Sequence, residues 1–503
     1  MDEDFESELV IGLVSAVGTE NKRVIDLLSE HLGLAGYTVH TIKLSRDVIP
    51  ILRPVPDHNK NEYIRLYNLM NAGNESRSIS NDNSILALGA ASVIFAKRSK
   101  EPDNYPKSSP KTAYIIDSLK RPEEVARLRQ IYPSGFVMLG IHSDEDRRSN
   151  YLMKVRGITK DEVDDLIQRD GEEVTNKHGQ RVNKTFHMAD FFVRISHSHD
   201  QLRNDLRRIV SLWFGDPFIT PTFDEHAMFM AFSAALRSAD MSRQVGAVVT
   251  FDSQILSTGA NDCPKAGGGL YWPTRNQATQ CIEDHPNGRD FKRDDGDSNR
   301  AEQIRIIERI LDEGTKEEFG FDRTKLKSLL DRSPLKDLTE YGRVVHAEME
   351  ALLSCSRNRL STVGATLYCT TFPCHNCAKH IIAAGVKRVV YVEPYPKSKA
   401  LEFHDDSIAP FGEHVPDESD KVTFEAFVGI GPRRFFDLFS MQLGSSYELC
   451  RKDENGKKRD WRIEKSQLRI QMKPTSYLAE ETVASNLFEE VLKRIRPNEV
   501  SDE

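Results

Sequence analysis

Three possible metal donors and one carboxylate sit at short spacings in the second half of the chain, in His346-Ala347-Glu348 and in Pro373-Cys374-His375-Asn376-Cys377. His346, Cys374 and Cys377 supply the nitrogen and sulfur donors that zinc takes. Three protein ligands would leave the fourth tetrahedral position open, which separates a catalytic zinc from a closed structural one. Glu348 lies two residues from His346 and reads as a non-ligand. Two thiolates cancel the formal charge of a divalent ion, so the metal alone need not fully ionise a water. A neighbouring carboxylate must then take the proton, and Glu348 is placed to do so. A structural zinc or unrelated thiols would be the plain reading of a lone C-x-x-C pair.

The flanking sequence has to bring these residues together. Residues 346–357 (HAEMEALLSCSR) read as a helix, 365–371 (ATLYCTT) as a strand, and 375–384 as a second helix starting just after Pro373. Cys374 and Cys377 would fall at the N-terminal end of that helix, where the dipole and free N–H groups favour thiolate over thiol. The upstream H-x-E, the proline directly before the first cysteine and the helix–strand–helix setting together match the H-x-E…P-C-x-x-C pattern of zinc deaminases. In that chemistry Glu348 would carry protons to a ring nitrogen and to the departing amine.

Composition bounds the rest. At 503 residues the chain has room for about two to four domains. Its 39% hydrophobic and 29% charged residues are those of an ordinary globular protein. A formal net charge of −8 argues against a general polynucleotide binder, which needs a basic surface, but not against a small anion held in a locally basic pocket. Seven scattered cysteines argue against a disulfide framework and for a reducing, cytoplasmic setting. The acidic start, MDEDFESE, has no basic leader region, and the longest apolar run, 85–96, is too short to span a bilayer; it reads as a buried helix.

Taken in order, 8–17 reads as an apolar strand, 21–34 as a helix and 37–43 as a second strand, a β-loop-α-β unit with glycines at its first turn. Gly12, Ser15, Gly18 and Thr19 are the nucleotide-binding candidates of that loop. The standard phosphate loop is G-x-x-x-x-G-K-[ST]; here the glycines stand one residue further apart and Thr19 replaces the lysine, so phosphoryl transfer is doubtful. A tight strand-to-helix turn explains the same residues. Strand 112–116 ends at Asp117, a magnesium ligand in a phosphate-loop fold or an ordinary strand-end residue. Further strands at 135–141 and 191–195 alternate with helices, which predicts a mostly parallel sheet covered by helices. The turn-rich 215–223 marks a domain boundary.

Beyond it come a helix at 224–240, strands at 244–250 and 254–259, and an insertion at 262–343 that is helical at 300–313 and 323–331. Strands at 387–392 and 421–428 and a charged segment at 395–406 follow the zinc-site elements. The charged run 451–465 reads as solvated surface.

From 224 to about 430 the chain resembles the deoxycytidylate deaminase branch of the zinc cytidine deaminases. The residues that carry this are Ser242-Arg243-Gln244-Val245-Gly246-Ala247, Thr258-Gly259-Ala260-Asn261 and the two zinc-site motifs. With the altered phosphate-loop domain in front, the whole chain resembles the bacterial anti-phage dCTP deaminases. The fold so implied is α/β: a phosphate-loop-like α/β domain at 1–215, a cytidine deaminase-like α/β/α domain at 216–440, and a C-terminal extension at 441–503.

The resemblance implies hydrolytic deamination of dCTP, and of dCMP as well, on Zn2+, with Asn261 bonding the sugar and Arg243 as a candidate for the phosphate. It also implies a homo-oligomer, in some relatives restrained by a small RNA. Cys263, Cys281 and His285 are candidates for a second, structural zinc, though their spacing matches no tight zinc motif and buried or free thiols are the preferred reading. Lys265 and Gly267 to Gly269 are candidates for a loop near substrate. Two other functions compete: a polynucleotide cytosine deaminase, disfavoured by the acidic balance, and a nucleotide sensor acting through the N-terminal domain.

Overall fold

The computed structural model describes residues 6–55, 61–98, 106–171, 173, 176–196, 199–294, 296–333, 335, 338, 340–393, 398–410, 421–444, 447–472 and 474–495. The first five residues of the acidic start and residues 395–397 of the charged segment lie outside them. The chain forms two compact units, Met1–Glu225 with Phe427–Glu503, and His226–Ala426.

In the first unit β1 (Leu9–Ser15), β2 (Thr38–Lys43), β3 (Thr112–Leu119), β4 (Phe136–His142) and β5 (Phe191–Arg194) make a parallel sheet. In the second unit the hairpin strands β6 (Gly246–Phe251) and β7 (Gln254–Ala260) lead into a short ribbon of β8 (Thr274–Arg275) and β9 (Ile282–Glu283). Then come β10 (Thr366–Thr371), β11 (Arg388–Glu393), β12 (Ile408–Pro410) and β13 (Val422–Ala426). The last strand, β14 (Gly429–Ile430), pairs antiparallel with β5 at the edge of the first sheet, whose order is β14-β5-β4-β1-β3-β2. Strands covered on both faces read as unbroken apolar runs, and all seven residues of β1 (LVIGLVS) are buried. β1 lies at the centre, where the crossover to β2 leaves on one side and the crossover from β3 to β4 passes to the other.

Two expectations are corrected here. Gly12 is not in a loop; it sits inside β1, paired with Ile116 and Met138. A methyl group there would collide with Leu119 Cδ1 at 2.6 Å and the Phe136 ring at 2.8 Å, so this glycine admits neighbouring side chains rather than a phosphate. The connection to helix Asn21–Leu34 is therefore only residues 16–20, with Gly18 at φ +84°. Its groups are already used: Val17 N–H donates to Asp170 Oδ2 (2.7 Å) and Thr19 Oγ1 to Ala16 O (2.6 Å). Ser15 ends β1, and its carbonyl accepts from Lys120 Nζ (2.9 Å). Asp117 is not the strand end; it accepts from Asn21 Nδ2 (2.7 Å) and so pins the start of the first helix.

The second correction concerns the tail, which is no separate extension. Residues 427–503 belong to the first unit, and the units divide at 225/226 rather than in 215–223. Helix Pro474–Ile495 is tied down by a buried ionic cluster. Arg98 bonds Glu8 (2.6 Å) and, through two nitrogens, Glu481 (2.5 and 2.9 Å); Tyr132 donates to Glu481 (2.7 Å) and Tyr477 to Glu8. Residues 451–460 are exposed, as a solvated charged run should be. Among the described residues no single helix is long and apolar enough to cross a membrane, and the run 85–96 lies in a helix, Ile85–Lys97, that is largely buried.

The second unit is a mixed sheet of order β12-β13-β11-β10-β6-β7. β6 and β7 form a hairpin whose Asp252-Ser253 turn has both residues at positive φ, the conformation that matches strand twist. β10 runs antiparallel to β6 and parallel to β11. Helix Ala347–Arg357 lies on β6 and β7, bonded by Ser257 Oγ to Ala351 O (2.7 Å). The approach is so close that a methyl group on Gly259 would run into Ala347 O and Ala351 N, both backbone atoms. Gly259→Ala is expected to destabilise this unit by about 1–3 kcal/mol and to lower bound zinc by displacing the start of the helix. Thermal unfolding with metal analysis checks this; wild-type values for both would refute it.

Candidate active site

Each candidate donor is set by a helix start. His346 is the N-cap residue of helix Ala347–Arg357, and Cys374 is the N-cap residue of helix His375–Ala383, where its sulfur accepts from Cys377 N–H (3.4 Å). Pro373 suits the extended backbone just before that helix. His346 Nδ1 lies 3.4 Å from Cys374 Sγ and 3.3 Å from Cys377 Sγ. One donor atom from each of the three falls within 4.8 Å of the others, and among the described residues this is the only such group of three or more.

One imidazole and two sulfurs at that spacing suit zinc, and the electrostatics agree. A hydrogen bond from Cys377, followed by the influence of His346, brings the Cys374 thiol down to about 3. The same hydrogen bond and burial push Cys377 well up, so the two sulfurs share one proton. The bond to Cys374 lifts His346 to about 8. A metal cation replaces these shared protons, because zinc binds thiolate and neutral imidazole.

Glu348, only 5% exposed, points to the same place. Burial raises its carboxyl above the usual range, and the thiols of Cys369 and Cys377 are within its hydrogen-bonding reach. A buried carboxylate of raised proton affinity beside a metal-binding cluster is equipped to take up and return a proton.

A cavity of about 740 Å³ opens in front of these groups and is lined by His346, Glu348, Asn261 and Arg243 together. Asn261 is buried and already bonded to backbone: its Oδ1 accepts from Val245 N–H (2.7 Å) and its Nδ2 donates to Arg243 O (2.8 Å). It thus holds the segment that carries Arg243 at the cavity wall, with one amide hydrogen and one lone pair left over. The insertion closes at its base through paired bonds between Asp262 and Val345 (3.3 and 3.0 Å), which bring Asn261 and His346 side by side.

Sequence reasoning missed Phe372, Lys399, Phe403 and Asp290, which also line the cavity. Phe372 directly precedes Pro373, a signal that was available; the other three come from segments distant in the chain. The second-zinc candidates do not converge. Cys263 is buried and bonds Asp290 (3.4 Å), its thiol pushed up to about 11 by burial and that carboxylate; Cys281 is exposed, and the His285 ring packs on Tyr271. The preferred reading of buried or free thiols fits. Lys265 and Gly267 to Gly269 form a turn closed by Lys265 N–H to Gly269 O (3.0 Å), and none of them lines the cavity.

Several known proteins resemble this part of the chain. The family model of the cytidine and deoxycytidylate deaminase zinc-binding region matches residues 221–393. The deoxycytidylate deaminase of Enterobacteria phage T4 is 32% identical over 173 residues, covering 34% of this chain and 77% of the phage protein. That of Mycobacterium phage D29 is 29% identical, covering 34% of this chain and 94% of its own. Among solved structures, the apo dCMP deaminase of cyanophage S-TIM5 aligns at 20% identity and a TM-score of 0.22, over 42% of this chain and 100% of that one.

Proposed function

Because the chain belongs to the deoxycytidylate deaminases, zinc-binding hydrolases that deaminate deoxycytidine nucleotides, we propose that it converts dCTP to dUTP and ammonia. On this reading dCMP is turned over too, and depletion of dCTP serves anti-phage defence. His346, Cys374 and Cys377 hold the zinc, which when bound supplies Lewis-acid activation of the attacking water. Glu348 accepts one proton of that water and gives it to the ring nitrogen beside the reacting carbon. It then takes the second proton, from the hydroxyl newly added to that carbon, and gives it to the amine, so that the carbonyl forms as the carbon–nitrogen bond breaks and ammonia leaves. Asn261 has one amide hydrogen and one lone pair to offer the sugar. Arg243 and Lys399, both on the cavity wall, are the cationic side chains that would meet a phosphate chain.

The observation that carries the reading is the buried Glu348 carboxyl beside three converging zinc donors at the end of a nucleotide-sized cavity. Chromatography of dCTP, dCMP, CTP and cytidine, each incubated with the purified protein, tests it. Formation of dUTP and dUMP, with CTP and cytidine intact, is the expected result. Turnover of dCMP with dCTP untouched would end the dCTP assignment. The defence role predicts fewer phage plaques on cells making the active protein than on cells making Glu348→Gln.

A further inference from the structure

The first unit contains a cavity of its own, of about 210 Å³, at the carboxyl ends of β1, β2 and β3, which contribute Ser15, Lys43 and Ser118. Open parallel sheets bind ligands at that edge, beside the strand where the crossovers change direction, and here that strand is β1. Five cationic side chains line the cavity against two carboxylates, in a chain of formal net charge −8. This local excess of positive charge favours an anion.

Four buried polar atoms in the lining have no hydrogen-bond partner: Asn21 Oδ1, Asp170 Oδ1, which faces the Lys120 ammonium at 2.9 Å, and the pair formed by Arg77 Nε, on a residue 1% exposed, and the Gln180 side-chain oxygen, on a residue 4% exposed. Buried polar atoms are normally satisfied, so this pair calls for a ligand. Both side chains also bond Asn74 Oδ1, Arg77 NH1 at 3.3 Å and Gln180 Nε2 at 3.4 Å, which keeps a donor and an acceptor near each other. A donor and an acceptor held together are complementary to the edge of a nucleobase. The helix Glu62–Ser80 adds an apolar wall of Leu66, Leu69 and Met70. On that helix Gly73 leaves space, since a methyl group there would meet nothing closer than 3.7 Å.

We propose that this cavity binds a nucleoside phosphate, with the base at Arg77 and Gln180 and the phosphates toward Lys43 and Lys120. The turn after β1 is not the phosphate cradle, because Asp170 already occupies the Val17 N–H. This site is independent of the deaminase reading, and its test needs no turnover.

Calorimetric titration of full-length Glu348→Gln protein with dTTP, dATP and GTP, and separately with inorganic tripolyphosphate, tests it. At least one nucleotide should bind at one per chain, and tripolyphosphate at least tenfold more weakly. Gly73→Leu, which fills the cavity, should weaken nucleotide binding at least tenfold. Lys43→Met, a change at an exposed strand end that spares the core, should do the same. The proposal is overturned if no nucleotide binds, if neither substitution affects binding, or if tripolyphosphate binds as tightly as the nucleotides.

Discussion

Glu348→Gln should lower kcat by about 10²–10⁴-fold, the usual contribution of a positioned general acid–base group, or roughly 2.7–5.4 kcal/mol of transition-state stabilisation. The substitution keeps shape and volume in a site where the side chain is only 5% exposed, so the fold has no cause to change. It removes the ability to shuttle a proton, and only that. Because Glu348 is not one of the three converging donors His346, Cys374 and Cys377, zinc content should stay at the wild-type level. Steady-state kinetics with metal analysis on the same preparation separate this from loss of metal. A variant within tenfold of wild type would show that the proton moves by another route.

Arg98→Ala should cost the first unit about 3–5 kcal/mol, the usual result of removing one partner from a buried ion pair. Arg98 faces two carboxylates, Glu8 and Glu481, whose side chains are 1% and 0% exposed. Without the guanidinium two buried negative charges would face each other with only tyrosine hydroxyls as donors, Tyr132 to Glu481 and Tyr477 to Glu8. Such a pair takes up a proton to relieve the repulsion, so the folded variant binds protons more tightly than the unfolded chain. Its stability deficit should therefore shrink as pH falls and grow as pH rises. Denaturant titration at mildly acid and mildly alkaline pH measures both the loss and its sign. A change under about 1 kcal/mol at either pH would mean that the cluster is not what docks helix Pro474–Ile495.

The zinc-site elements were legible because their signals are local. The expected helix at 346–357 forms as Ala347–Arg357, the strand at 365–371 as Thr366–Thr371, and the helix at 375–384 as His375–Ala383. Proline, helix start and donor spacing all act within a few residues. The parallel strands were legible for a different reason: burial on both faces demands continuous apolar runs. The loop assigned to Gly12 failed because what that glycine does depends on Leu119 and Phe136, more than a hundred residues away. The return of the tail was equally hidden, since Glu481 reads as an ordinary acidic residue until Arg98 and Glu8 are brought to it.

By itself the sequence determined which residues are the candidate donors, which carboxylate accompanies them and which local elements present them, because those follow from residue type and short-range backbone preference. The tertiary structure alone decided which distant residues share a cavity, such as Phe372, Lys399 and Phe403 with Glu348. It alone also decided that Asn261 clamps the backbone of residues 243–245. Those outcomes come from long-range packing, in which each contact depends on chain segments whose proximity no local pattern encodes.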